Sequence, residues 1–227
     1  MGPGSQEHEV LGSASVQVMP VTAGRWPDLE KVFGSRGDPS RCWCQWFFAG
    51  AQVGPHELAA ANKDALRGQV EAGPPPGLLA YLGSAPVGWT AVGPRAGYGR
   101  LQHSAVLRGI GADVFSDPSV WSVTCFVVKV GARRQGVATA LLQGAIGLAR
   151  QGGATVVEAY PVDLDRKQSA SASELFHGSL STFLRAGFAE VARPAPARPV
   201  VRLRLAGSQP VSGVASAASQ QEAGNDR

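Results

Sequence analysis

The sequence predicts an α/β fold, a single domain with a mixed central sheet and helices on both of its faces. Three stretches carry that prediction. VWSVTCFVVKV (120–130) is apolar on both parities and rich in β-branched residues, the pattern of a central strand covered on both sides. GVATALLQGAIGLARQ (136–151) places Val137, Leu141, Ala145, Leu148 and Ala149 on one side of a helix. TVVEAYPV (155–162) is again strand-like, so the three together make a β-α-β unit.

The other elements follow along the chain. VQVMPV (16–21) alternates as a first strand. WPDLEKVF (26–33) carries Trp26, Leu29 and Phe33 at helical spacing, with Pro27 accommodated in the first turn. HELAAANKDALRGQVEAG (56–73) reads as a second helix, stopped by Gly73 and a Pro-Pro-Pro run. GLLAYLG (77–83) and PVGWTAV (86–92) flank Ser84-Ala85 and form a hairpin. HGSLSTFLRAGF (177–188) is a short helix closing at Gly187, and VVRLRL (200–205) alternates as a final strand.

The chain of 227 residues has room for one ordinary domain, expected over 15–205. Residues 206–227 are small and polar, with too little apolar surface to offset ordering entropy, and 1–14 are similar, so both ends are expected to be disordered. The Gly-Pro-Gly-Ser after Met1 reads as an expression remnant. No run reaches the ~20 apolar residues of a membrane helix, and the start lacks the pattern of a signal peptide. Three cysteines, an odd number, make no disulfide framework and fit a reducing cytoplasm. The net charge of +4 comes from scattered arginines, without the dense basic block that tracks nucleic acid. Neither a nucleic-acid nor a membrane partner is expected, and a homodimer is left open. Cys42-Trp43-Cys44 lacks zinc-ligand spacing and a second pair, so no metal is expected.

VGARRQGVATALL (130–142) is the stretch that points to chemistry. The first N–H groups of a helix have no intrahelical partners and carry the positive end of its dipole, so an anion placed there gains hydrogen bonds and field together. Gly136 and Ala138 keep that backbone approachable, Arg133 and Arg134 add charge, and Thr139 offers a hydroxyl. A Walker loop would need Gly-Lys-Ser/Thr and a dinucleotide fingerprint three spaced glycines, and both are absent. A polar turn with surface arginines is the plain alternative.

Strand, Arg-Arg-Gln-Gly-Val-Ala-Thr-Ala-Leu-Leu, second strand and a short helix ending Ala-Gly-Phe together resemble the GCN5-related N-acetyltransferase (GNAT) superfamily. Its signature, Arg/Gln-x-x-Gly-x-Gly/Ala, is matched by Arg133, Gly136 and Ala138, and the likeness covers roughly 16–205. The resemblance implies acetyl-CoA as co-substrate and an amine acceptor, of a small molecule before a protein. It places the pyrophosphate on the backbone of Arg134, Gln135, Gly136, Val137, Ala138 and Thr139, and the pantetheine arm on backbone groups of Phe126 and Val128. It also implies a tyrosine four residues before the glycine of Gly-Phe as the thiolate's proton donor; that position is Phe183 here. A non-catalytic acyl-CoA-binding module is therefore the alternative.

With that hydroxyl missing, the replacement candidates are Glu158, Tyr160, Cys125, Ser181 and His177. Glu158 and Tyr160 share a strand parity, and a carboxylate inside an apolar strand is costly unless paired or open to a cleft. Glu158 comes first as base or ammonium ligand, with a structural ion pair as its equal alternative; Tyr160 is a weaker proton-donor candidate. Cys125 is more simply a core thiol, and His177 a helix opener. For the acceptor wall, the family likeness draws on the aromatic segment 41–50 and the loop after the third strand: Trp43, Trp46, Trp89, Arg95 and Tyr98, whose rings suit a cationic or planar acceptor. Hydrophobic core is the alternative for at least half of them.

Overall fold

The computed structural model describes residues 15–48, 54, 57–107, 115–167 and 169–205. The two chain ends expected to be disordered lie outside these. The strands are β1 (Val16–Pro20), β2 (Gly77–Leu82), β3 (Ala85–Pro94), β4 (Val120–Val128), β5 (Val156–Ala159), β6 (Ala189–Ala195) and β7 (Arg198–Arg204). The helices are α1 (Trp26–Phe33), α2 (Gly37–Cys42), α3 (Leu58–Ala72), α4 (Gly99–Gln102), α5 (Val137–Gln151), α6 (Ala172–Leu175) and α7 (Leu180–Arg185).

One mixed sheet runs β1-β2-β3-β4-β5-β7-β6. The β4–β5 pair is parallel, with α5 as its crossover, and every other neighbour is antiparallel. The predicted hairpin is β2–β3, its turn one residue earlier than expected because Leu82 already faces Ala85. On one face, α5 sets Val137, Leu141, Leu142, Ala145 and Ile146 against Leu78, Val123 and Val157, and α7 adds Phe183. On the other, Leu29 and Phe33 of α1 and Leu66 of α3 pack on Leu79, Trp89 and Val127. A further apolar group, Phe47, Tyr98, Leu101, Phe115, Tyr160 and Val200, continues that side of the molecule. No helix among the described residues is long and apolar enough to cross a membrane.

The fold opens one gap. β4 and β5 pair from Val120↔Val156 to Val123↔Ala159 and no further, and β4 then continues to Val128. At the same level Val123 faces Val92 and Cys125 faces Ala91, so Thr124 is an extra residue on β4. Such a bulge bends the strand that carries it and increases its twist. β4 therefore leaves β5 where the bulge begins. β5 is shorter than its apolar run predicted because Val162 turns away to bridge Ser179.

Candidate functional site

The motif turn sits at the open end of that gap. After β4 the chain makes a short 3-10 turn, Val130–Ala132, and then two left-handed residues, Arg134 (φ 61°) and Gly136 (φ 77°). Glycine adopts that conformation without steric cost, which lets the chain double back and enter α5 at once. Among the described residues no side chain caps α5, and no acid lies in its first turn. The first-turn N–H groups are thus left for an external acceptor. A cleft of about 430 Å³ opens here, lined by Val128, Ala132, Arg133, Arg134, Gly136, Val137, Ala138, Thr139 and Arg185. Seven of the nine expected coenzyme residues line it. Gln135 turns its side chain back onto the Gly131 carbonyl at 2.8 Å. Arg185, at the end of α7, was not anticipated; it becomes visible only once α7 is docked beside α5, because its sequence neighbours carry no motif.

Phe126 departs from expectation. Its ring is buried edge-on to Phe183, and its N–H donates to the Phe176 carbonyl at 2.6 Å. One of the backbone groups expected to meet the pantetheine arm is thus engaged within the chain. Strand alternation points Val128, two residues on, toward the same side. The segment holding Phe126 ties both lips of the gap: His177 Nδ1 lies 3.1 Å from the Thr124 carbonyl, while Val162 N–H donates to Gly178 O and Leu180 N–H to Val162 O. Gly178 has φ 76°, and a Cβ there would stand 2.9 Å from the Phe183 ring, so a larger residue would be strained and crowded.

The two catalytic expectations fall on a closed network. Glu158 is fully buried, as is Tyr160. Arg95 Nη1 lies 3.3 and 3.2 Å from the two Glu158 carboxylate oxygens, Arg202 Nε donates at 2.6 Å, and the Tyr160 hydroxyl donates at 2.6 Å. Ser122 lies 2.9 Å from that hydroxyl. Arg202 stands directly across from Glu158 in the β5–β7 register, so the pair is also a cross-strand contact. Glu158 thus has the surroundings of the ion-pair alternative: its oxygens already hold three donor residues. Burial first, then the Glu158 charge, push the Tyr160 pKa well up, and its proton is committed to Glu158.

Of the five residues expected to wall the acceptor, four are buried and one is exposed. Trp43 is stacked on Phe33 at 4.6 Å and 5°, inside the α1–α3 core. Trp89 is fully buried, its indole N–H on Cys44 Sγ at 3.2 Å. Arg95 is held by Glu158 over the Phe115 ring, and Tyr98 is buried against Phe48. Trp46 is the exposed member, 62% accessible, with the Arg100 guanidinium 4.9 Å from its ring centre. Large rings in an αL-containing turn (Trp43 φ 44°, Cys44 φ 54°) bury area that the sequence cannot assign to a side. Phe183 is fully buried between Phe126 and Phe188, and its ring carries no hydroxyl. Cys125 is half-buried and packs beside Cys44, whose thiol burial raises well above its usual pKa.

The sequence profile of the acetyltransferase (GNAT) family matches residues 35–172, more than half of the chain. The chain belongs to that family. No curated protein matches it significantly. Among solved structures, a Drosophila melanogaster polyamine N-acetyltransferase, described as catalysing the formation of N-acetylagmatine, is 17% identical with a TM-score of 0.52, over 84% of this chain and 100% of its own. An apo agmatine N-acetyltransferase mutant is 16% identical (TM-score 0.51; 84% and 99%), and the GNAT domain of PAT from S. lividans is 18% identical (0.51; 84% and 90%). At these identities the likeness is one of fold. It agrees with the mixed sheet and its helical layers, as the sequence resemblance implied.

Proposed function

We propose that this GNAT acetyltransferase moves an acetyl group from acetyl-CoA to the amine of a small molecule, less readily of a protein. The observation that carries the reading is the cleft at the start of α5: uncapped first-turn N–H groups from Gly136 to Thr139, with Arg133, Arg134 and Arg185 around them. That is a site for a multiply charged anion, which the coenzyme's pyrophosphate supplies. From there the gap between β4 and β5 leads inward past Val128 to Phe126, in the direction the pantetheine arm would take. The coenzyme brings an activated thioester; the chain's part is to hold it, orient the amine against it and take up the amine's proton. The solved relatives named for polyamine and agmatine acetylation make such cationic amines the first acceptors to try. The three free thiols suit the reducing compartment such an enzyme would occupy.

A second reading, an acyl-CoA binder that does not turn over, draws on two specific observations. Phe183 stands where the family's proton donor is expected, and the Phe126 N–H is already engaged. Calorimetric titration of acetyl-CoA into the parent and an Arg133→Glu/Arg134→Glu variant tests the coenzyme site. Charge-assisted hydrogen bonds contribute ~1.5–3 kcal/mol each, so the double reversal should weaken binding by roughly 100-fold or more. Equal affinity in both proteins would remove the site. Release of free CoA with an amine panel that includes agmatine then separates enzyme from binder.

A further inference from the structure

Resting on the acetyl-transfer reading, we propose that His177 is the proton acceptor of the reaction, through its Nε2. The bulge at Thr124 and the end of β5 pairing leave the Thr124 carbonyl outside the β4–β5 ladder. His177 Nδ1 meets that carbonyl at 3.1 Å. A carbonyl accepts, so Nδ1 must carry the hydrogen, and in a neutral ring the lone pair then belongs to Nε2. The ring lies 5.4 Å from that of Phe47, within the segment 41–50 expected to wall the acceptor, and the residue keeps intermediate exposure. Its backbone neighbour Phe176 accepts from the Phe126 N–H, so the imidazole stands beside the strand residue expected to meet the pantetheine arm.

Two of the other candidates are spoken for. Glu158 is enclosed by Arg95, Arg202 and Tyr160, and Tyr160 has committed its proton. Charged groups facing His177 are Arg198 on β7 and Glu174 on α6. Burial of the ring, assisted by Arg198, pulls its pKa down to about 4, so the neutral base form prevails across the physiological range. In the step assigned to it, the amine lone pair forms the new C–N bond at the thioester carbon and the C–S bond breaks. The sulfur leaves with the bonding pair as thiolate, and the proton on the new ammonium passes to Nε2, from which it can return to the thiolate. Such an N-acylated ammonium is far more acidic than the free ammonium of the substrate, so a weak base suffices.

The test is a pair of variants measured against acetyl-CoA and agmatine, or the best amine of the panel. His177→Asn places a side-chain N–H near the position of Nδ1, preserving the Thr124 tie while removing the acceptor. Turnover should fall by about 10²–10⁴-fold with acetyl-CoA affinity within about twofold of the parent. In His177→Ala, added imidazoles should restore turnover, more strongly as their basicity rises. Independently of activity, the ¹⁵N spectrum of the His177 ring should show the Nδ1–H tautomer from pH 5 to 8. Turnover within threefold of the parent in His177→Asn, rescue that ignores basicity, or an Nε2–H tautomer each overturns the assignment. So does loss of acetyl-CoA binding in His177→Asn, which would make the residue a packing element. A parent that binds no acetyl-CoA sinks the acetyl-transfer reading itself, and the assignment with it.

Discussion

At the scale of the residue, Glu158 shows why burial and partners must be known before a carboxylate is given a role. A lone carboxylate in an apolar strand is expensive, and sequence offers two remedies, a cleft or a counter-ion. Arg95 and Arg202 supply the second, from a loop and from the neighbouring strand. Removing one partner of a buried pair leaves the other charge uncompensated, at a cost of about 3–5 kcal/mol. Glu158→Gln should therefore shift the urea unfolding midpoint strongly downward while acetyl-CoA affinity in the folded protein stays within about twofold. Unchanged stability with abolished turnover would reinstate Glu158 as a base. His177 is the opposite case. Its sequence context, before a Gly-Ser that begins a short helix, suggested a helix opener, yet α7 starts three residues later at Leu180. Only the docking of 176–178 against β4 reveals its tautomer.

At the scale of the element, the connection between β5 and α7 bridges the two sides of the gap. It contributes Phe176 to β4 and Gly178 to Val162, bridging strands that no longer pair with each other. A pantetheine arm that pairs with the Phe126 N–H must displace the Phe176 carbonyl. Saturating acetyl-CoA should then raise deuterium uptake across residues 171–179 and lower it across the first turn of α5, Val137–Thr139. Uptake unchanged in both segments would argue against coenzyme in this gap. The elements with a strong period were legible in the sequence: α1, α3, α5, β2, β3 and β4 lie where apolar spacing puts them, with ends shifted by a few residues. β6 was not, because AEVARPA contains a proline; that proline is tolerated because β6 is the outermost strand, with a free side. α2 was missed for a related reason: GDPSRC holds a glycine and a proline that read as loop, yet Pro39 sits in the first turns, where its absent N–H costs nothing. In the site, the anion cradle could be framed from local order because backbone chemistry follows it, whereas the burial of Trp43, Trp89 and Arg95 was not legible because distant strands decide it.

At the scale of the whole molecule, the sheet holds its helical layers and the bridged gap in one hydrogen-bonded frame, so the charge state of the gap is coupled to folding. His177 is the group that first links the two on acidification. Its pKa is about 4 when folded and near 6.5 when the ring is in water. Between those values the unfolded chain binds a proton that the folded chain refuses, so stability rises with pH through this window and is fully present above pH 6.5. The difference amounts to at most ~3 kcal/mol, lost progressively as pH falls from 6.5 to 4. The carboxylates act later. Asp163 and Glu190, whose pKa values Arg193 holds below their usual range, keep their contribution until pH drops through the low folded values. Thermal midpoints should therefore decline in two stages, one below pH 6.5 and a steeper one below about 4. His177→Asn, which has no proton to gain, should flatten the first stage and leave the second in place. A parent whose midpoint is constant from pH 6.5 to 4.5 would mean that the ring is solvated in the folded protein, and that its tie to Thr124 does not persist in solution.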